Sequence, residues 1–291
     1  MDENERKARE FLEKAQKKSK GGFLSSIFSG RSDSVEEQVS LYERAANCFK
    51  MAHKWSEAGD AFCAAAKLSS SNKSAHDAAN NYVNASVAYR KTDPKRAIDC
   101  LNKATEIYIE SGRFSIAARH HMTRAEIYEQ DLGDVEQACK QYEQAADYYK
   151  GEESNSSAMK CLLKVAHFAA SAGNYDKAAK IFEEAGKSSM DNKLLRYGAK
   201  EHLTKAVICN FLIDTINGQK ALQTYEEAYP LFADSRECTL LKKISEALNH
   251  ESVEGFTAAV AEYDSITRLE PWTTEMLLKL KKTIADEEDI T

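Results

Sequence analysis

The sequence predicts an all-α protein, a solenoid of helical hairpins of the tetratricopeptide type. Three observations lead to this prediction. A short pattern of small and large apolar residues recurs five times, and its period of roughly 40 residues fits one helix pair per repeat. Only 3 Pro and 12 Gly interrupt 291 residues, and a hydrophobic content of 43% is enough to build a sizeable core.

Each repeat has an Ala, a large apolar residue four positions later and an Ala after three more. These offsets place all three residues on one face of an α-helix, where the two small residues allow a neighbouring helix to approach closely. The five sets are Ala58/Phe62/Ala65, Ala97/Leu101/Ala104, Ala138/Tyr142/Ala145, Ala178/Phe182/Ala185 and Ala221/Tyr225/Ala228. An aromatic residue upstream of the first four sets indicates a preceding helix (Phe49, Tyr89, Tyr128 and Phe168).

Upstream of the repeats, residues 4–18 are predicted to form an amphipathic helix, because their apolar residues share one helical face. The glycine-bounded segment 21–30 is predicted to be a loop. Ser34 and Glu37 have the spacing of a capping box and predict the start of the next helix. Helix breaks are predicted at residues 91–94, 131–134, 151–157 and 172–174.

The repeat pattern stops at Pro230, and three further helices are predicted at residues 238–247, 257–263 and 273–284. A terminal bundle that closes the solenoid is the natural interpretation. The predicted organisation is an N-terminal helix and apolar loop (1–32), helical repeats (33–229), a C-terminal helical bundle (230–285) and an acidic tail (286–291).

Composition argues against several classes of function. A net charge of −6 disfavours a nucleic-acid-binding protein. No apolar run approaches the length of a membrane span, and the acidic start lacks a signal-peptide core, so a cytoplasmic protein is expected. Seven Cys without a Cys-x-x-Cys pair and seven His without ligand spacing predict neither metal nor cofactor. No catalytic motif is present, and we expect no enzymatic activity.

Three features of the sequence could carry function. The first is the apolar segment with Phe23, Leu24, Ile27 and Phe28, which has lysines on its N-terminal side. This segment either folds back and is buried or touches a membrane, where apolar burial and nearby basic charge would give weak, reversible binding.

The second feature is a series of basic residues within the repeats, and the third is the acidic tail. The basic residues either form an ordinary solvated face or line a surface for an acidic partner. They are Arg90, Lys91, Arg113, Arg119, Lys160, Lys164 and Lys200. The tail is either a solubilising extension or a docking peptide for a basic patch.

Several segments resemble the SNAP family, the soluble NSF attachment proteins, and most closely its alpha/beta branch. The most specific are residues 148–158, Gly112-Arg113-Phe114, residues 234–237, residues 262–266 and the acidic end. The resemblance covers essentially the whole chain. It implies an adaptor that binds assembled SNARE complexes and recruits and stimulates the ATPase NSF, which takes the complexes apart during vesicle fusion and intracellular protein transport.

The resemblance also implies partners and sites. The SNARE four-helix bundle (syntaxin, synaptobrevin and relatives) would contact the basic residues together with Leu194 and Tyr197. The N-domains of the NSF hexamer would contact Asp214, Glu246 and the tail residues Asp286, Glu287, Glu288, Asp289 and Ile290. A peripheral membrane contact would use the apolar segment. The chain would be a monomer alone, with several copies in each complex.

Two departures from the family pattern concern the docking residues. Ile290 stands where the family has a penultimate Leu, a change that keeps volume and apolarity. The stretch Leu248-Asn249-His250-Glu251 carries fewer acids than the family often has. The alternative to an adaptor of this family is a tetratricopeptide-like co-chaperone that binds a peptide in its groove.

Overall fold

The computed structural model describes residues 2–25, 31–190 and 195–288, with only the backbone for residues 19–25, 31–33 and 285–288. Within these residues the chain forms fifteen α-helices and a π-helical turn, Tyr128–Leu132. The helices are α1 Glu3–Ser25, α2 Arg31–Met51, α3 Trp55–Ser71, α4 Ala75–Tyr89, α5 Pro94–Glu110, α6 Phe114–Ile127, α7 Val135–Gly151, α8 Asn155–Ser171, α9 Tyr175–Met190, α10 Arg196–Ile213, α11 Thr215–Ala228, α12 Pro230–Ala233, α13 Arg236–Asn249, α14 Val253–Ile266 and α15 Pro271–Glu288. The predicted all-α fold is confirmed.

The chain divides into an N-terminal unit, Met1–Ala158, and a C-terminal unit, Met159–Thr291, and α8 crosses the boundary between them. In the N-terminal unit each helix from α1 to α6 packs against the next one along the chain. Ala58, Ala97 and Ala138 have no exposed surface, as the repeat pattern predicts. The large residues between the alanines, such as Phe62 and Leu101, fill the space between helices.

Sequence-encoded caps end and start these helices. Asp93 accepts a hydrogen bond from the backbone N–H of Arg96, and Pro94 occupies the first helical position. Gly133 adopts φ +67°, a left-handed conformation that favours glycine, and Asp134 then caps α7 through the N–H of Gln137. The predicted breaks at residues 91–94 and 131–134 are therefore confirmed.

The C-terminal unit has a continuous apolar core. Helix α10 packs against α9, α11, α13 and α15, and its fully buried Leu203 and Ile208 belong to the same core as Phe182, Leu241 and Met276. Four of the seven cysteines, Cys100, Cys161, Cys209 and Cys238, are buried.

The structure corrects four sequence predictions. Helix α1 continues to Ser25, so Phe23 and Leu24 lie in a helix rather than in a loop. Ser34 lies inside α2 and does not cap it. Helix α12 was missed because it is a single turn of four residues. In the fifth repeat Ala228 is exposed, because it is the last residue of α11 and the chain turns away there.

Candidate docking surfaces

Two of the predicted basic residues project from the start of α6. Arg113 is the residue before the first turn and Arg119 lies within the helix, and both are exposed. Beside Arg113, the partly exposed ring of Phe114 stacks on Tyr148 with centroids 6.0 Å apart and planes 11° apart. This aromatic pair was not among the site residues predicted from the sequence.

Arg90 and Lys91 follow α4 and differ from each other. Lys91 is exposed. The guanidinium of Arg90 donates to Oδ2 of Asp131 at 2.6 Å and to Oε1 of Gln130 at 3.2 Å, which ties the end of α4 to the π-helical turn. Because its charge is already paired, Arg90 is a weaker candidate than Lys91 for binding an acidic partner.

A groove of about 590 Å³ lies between α5 and α7 in the N-terminal unit, with α6 residues at its floor. Arg124 is 8% exposed there and donates to Oδ1 of Asn102 and, at 2.6 Å, to Nδ1 of His121. Burial and the nearby Arg124 charge lower the pKa of His121 to about 4, so the ring is neutral at pH 7. Glu106 and Asp147 also line the groove, which gives it more negative than positive charge.

In the C-terminal unit, Lys160 and Lys164 are exposed one turn apart on α8. Tyr197, on the first turn of α10, is 65% exposed, and the guanidinium of Arg196 lies 5.3 Å from its ring. Lys200 pairs with Glu237 at 3.1 Å. Leu194 lies outside the described residues.

The predicted acidic residues lie at one end of the C-terminal unit. Asp214 is exposed and caps α11, with Oδ1 2.6 Å from the N–H of Asn217. Glu246 is exposed near the end of α13. Gln219 in α11 donates to Oδ1 of Asn249 at 2.7 Å, so the start of α11 lies beside the end of α13.

Helix α15 extends toward the same end. Glu270, just before α15, bonds Lys205 in the middle of α10, whereas Lys279 bonds the backbone oxygen of Ser171 at the end of α8. Only residues 172–174 separate the end of α8 from the start of α9, and α9 packs against α10. The end of α8, the start of α9 and the end of α10 therefore lie at the same end of the unit. The backbone of Asp286, Glu287 and Glu288 continues α15 in that direction.

The remaining predicted residues are outside the described chain. Asp289 and Ile290 follow the last described residue, and Ile27 and Phe28 fall in the gap at 26–30. Among the helices that the structure describes, none is both long enough and apolar enough to cross a bilayer. Within the described ranges, no group of three His, Cys, Asp or Glu side chains is arranged to hold a metal ion.

A helical-repeat scaffold that presents charged and aromatic side chains on helix ends is typical of proteins that act by binding other proteins. Comparison with known proteins agrees, since the family model of the soluble NSF attachment proteins, SNAP, matches residues 6–285. A beta-soluble NSF attachment protein of Bos taurus is 54% identical over 282 residues, covering 96% of this chain and 94% of its own. An alpha-soluble NSF attachment protein of Homo sapiens is 53% identical over 289 residues, with 98% of each chain covered.

The chain therefore belongs to the SNAP family, in its alpha/beta branch. More distant relatives include a probable vesicular-fusion protein sec17 homolog of Schizosaccharomyces pombe, 34% identical over 96% of this chain and 97% of its own. Members of this family are attachment proteins, so the role of the chain is non-catalytic.

Proposed function

We propose that this protein is an adaptor that binds assembled SNARE complexes and recruits and stimulates the ATPase NSF, which then separates the complex. The observation that supports this most directly is the grouping of acidic positions at one end of the C-terminal unit. Asp214, Glu246 and the end of α15 are far apart in sequence, yet the helical hairpins bring them to the same end. A second protein with a basic surface could contact all three.

The SNARE contact in this proposal uses the exposed bases. Arg113, Arg119, Lys160 and Lys164 are exposed and suit a four-helix bundle with an acidic outer surface. Tyr197, with 65% of its surface exposed, adds an aromatic contact, and Leu194 is assigned to the same surface. Complementary charge of this kind sets encounter rate and register more than affinity.

Membrane attachment in this proposal is weak and peripheral, and the protein acts in the cytoplasm. Phe23, Leu24, Ile27 and Phe28 would insert apolar side chains at the bilayer surface. Several copies on one SNARE complex would bind well through avidity, although one copy alone would bind weakly. Changing Phe23→Ser with Phe28→Ser should reduce liposome binding and leave disassembly of a soluble bundle intact.

Charge reversal tests the SNARE contact. Arg119→Glu and Lys160→Glu should each weaken binding to an assembled SNARE bundle, because each replaces an attraction by a repulsion. Lys180→Glu is a matched control, since Lys180 is 72% exposed on α9 and lies outside the proposed surface. Equal binding by all three variants and the unchanged protein would contradict the proposed contact.

Removal of the tail tests the NSF contact separately. A chain that ends at Ala285 should still bind the SNARE bundle and should no longer stimulate ATP hydrolysis by NSF. Persistent stimulation would show that the tail does not dock. The alternative function is a co-chaperone that binds a peptide, for which the groove between α5 and α7 is a candidate site. SNARE binding that is unchanged by the Arg119 and Lys160 substitutions would favour this alternative.

A further inference from the structure

Two isoleucines are exposed at the acidic end of the C-terminal unit. Ile216, on the first turn of α11, is 75% exposed, and Ile213, the last residue of α10, is 42% exposed. They lie on either side of Asp214. Burying an apolar side chain of this size is favourable, and neither isoleucine gains that free energy in this chain. Exposed apolar residues that lie together often mark an interaction site.

The corner between α10 and α11 is tightly built and holds both side chains outward. Asp214 fixes the first turn of α11 through the backbone N–H and the side-chain amide of Asn217, both at 2.6 Å. Gly218 lets α11 approach the ring of Phe211, because a Cβ there would lie 2.0 Å from that ring. Phe211 and Leu222 fill the inward positions, which leaves the isoleucines no buried place to occupy.

The charge around the pair is predominantly negative. Asp214, Glu246, Glu251 and Glu254 are all exposed on the helix ends that meet there. Two bases are also exposed at this end, Lys220 one turn along α11 and Lys282 near the end of α15. Such a surface complements a basic protein surface. Exposed ion pairs alone contribute little affinity, however, and stable interfaces place an apolar centre inside a polar rim.

We infer that Ile213 and Ile216 form the apolar centre of the surface that docks the basic face of the ATPase N-domain, with the acids as its rim. The inference rests on the proposed function and adds to it the residues that hold the partner once charge has steered it into place. The acids set the encounter and its dependence on salt, and the isoleucines slow dissociation.

The test measures binding of the full-length chain to NSF hexamers held with a non-hydrolysable nucleotide, at low and high salt. Ile213→Ser with Ile216→Ser should weaken binding roughly ten-fold or more, and the loss should persist at high salt. Ile213→Leu with Ile216→Leu should bind like the unchanged protein, because it keeps the apolar area. Ile266→Ser is the matched control, since Ile266 is 63% exposed at the other end of the unit, where α14 finishes.

Serine variants that bind as tightly as the unchanged protein would overturn the inference. If Asp214→Lys and removal of the tail still weaken binding in that case, the proposed function stands and only the apolar centre is wrong. If none of these changes affects binding, or the unchanged protein does not bind, both are wrong. Thermal unfolding of each variant shows whether the exchange left the fold intact, as exposure of both side chains predicts.

Discussion

The side-chain amide of Gln219 donates a hydrogen bond to Oδ1 of Asn249 at 2.7 Å and so joins the start of α11 to the end of α13. The same amide lies 3.3 Å from the hydroxyl of Ser245. Asn249 belongs to the stretch that carries fewer acids than the family resemblance implies. Here that position holds together the two helices that present Asp214 and Glu246.

Asn249→Glu should strengthen docking of NSF. A carboxylate can still accept the bond from Gln219, and it adds one negative charge beside Glu246. A single exposed charge contributes about 0.2–1 kcal/mol, so we expect a gain of up to several-fold at low salt that shrinks at high salt. Binding assays at two ionic strengths measure it, with Asn249→Gln as the uncharged control. Unchanged affinity would mean that the partner does not reach this position.

Gly218→Ala should destabilise the protein by about 1–3 kcal/mol, because the added methyl group overlaps the Phe211 ring and forces the α10–α11 corner apart. Gly151 is the control, since a Cβ at the end of α7 meets no atom within 4 Å. Gly151→Ala should be neutral or stabilise by about 0.4–1 kcal/mol. Urea unfolding measures both changes, and equal effects would contradict the close approach at Gly218.

Removing the charge of the buried Lys205 should destabilise the protein less than removing the charges of its two carboxylate partners. Lys205 is 6% exposed and lies 2.7 Å from Glu201 and 3.0 Å from Glu270, whose side chains are about half exposed. Glu201→Gln with Glu270→Gln leaves a buried, uncompensated cation and should cost about 3–5 kcal/mol. Lys205→Met keeps the volume, and water can hydrate the two carboxylates, so about 1.5 kcal/mol or less is expected. Urea unfolding that shows Lys205→Met to be the more damaging change would contradict this.

Stability should fall as the pH is lowered from 6.5 to 4. Burial against Tyr108, with positive charge from Arg119 and Arg124, lowers the pKa of His120 from 6.5 to about 4. In this range the unfolded chain binds a proton that the folded chain does not, so acid favours unfolding. Above pH 6.5 both states are neutral at this ring, and its contribution is fully present.

The slope from His120 reaches at most about 1.4 kcal/mol per pH unit. The free energy of unfolding, measured by urea titration at several pH values, should therefore depend less steeply on pH in His120→Asn than in the unchanged protein. The pKa of His121 is lowered to about 4 by the same burial, so a residual slope will remain. Identical slopes for the two proteins would show that His120 is accessible to protons in the folded state.

Periodic features of the fold could be predicted from the sequence. Ala58, Ala97 and Ala138 are fully buried, as their spacing predicts. Small residues at helical spacing mark the face on which a neighbouring helix packs. Asp93-Pro94 predicts a helix start because its chemistry is local. The end of α1 could not be predicted, since Gly21 and Gly22 are tolerated within a helix that continues to Ser25.

The charged surfaces were less predictable because side-chain partners come from other helices. Sequence gives Arg90 and Arg119 equal weight, but Asp131 pairs with Arg90 across 41 positions, and only the structure distinguishes them. The exposure of Ile216 was missed for a similar reason. Ile216 could turn inward only if the corner between α10 and α11 had room for it. The Phe211 ring, packed closely against Gly218, already occupies that space.

The most direct test of the adaptor role is disassembly of a purified, assembled SNARE complex by NSF and ATP, with and without this protein. NSF alone should leave the complex intact, and adding the protein should release the individual SNARE chains. The chain ending at Ala285 should bind the complex without releasing the SNARE chains. Disassembly at the same rate without the protein, or no disassembly in its presence, would show that the protein is not the adaptor of this reaction.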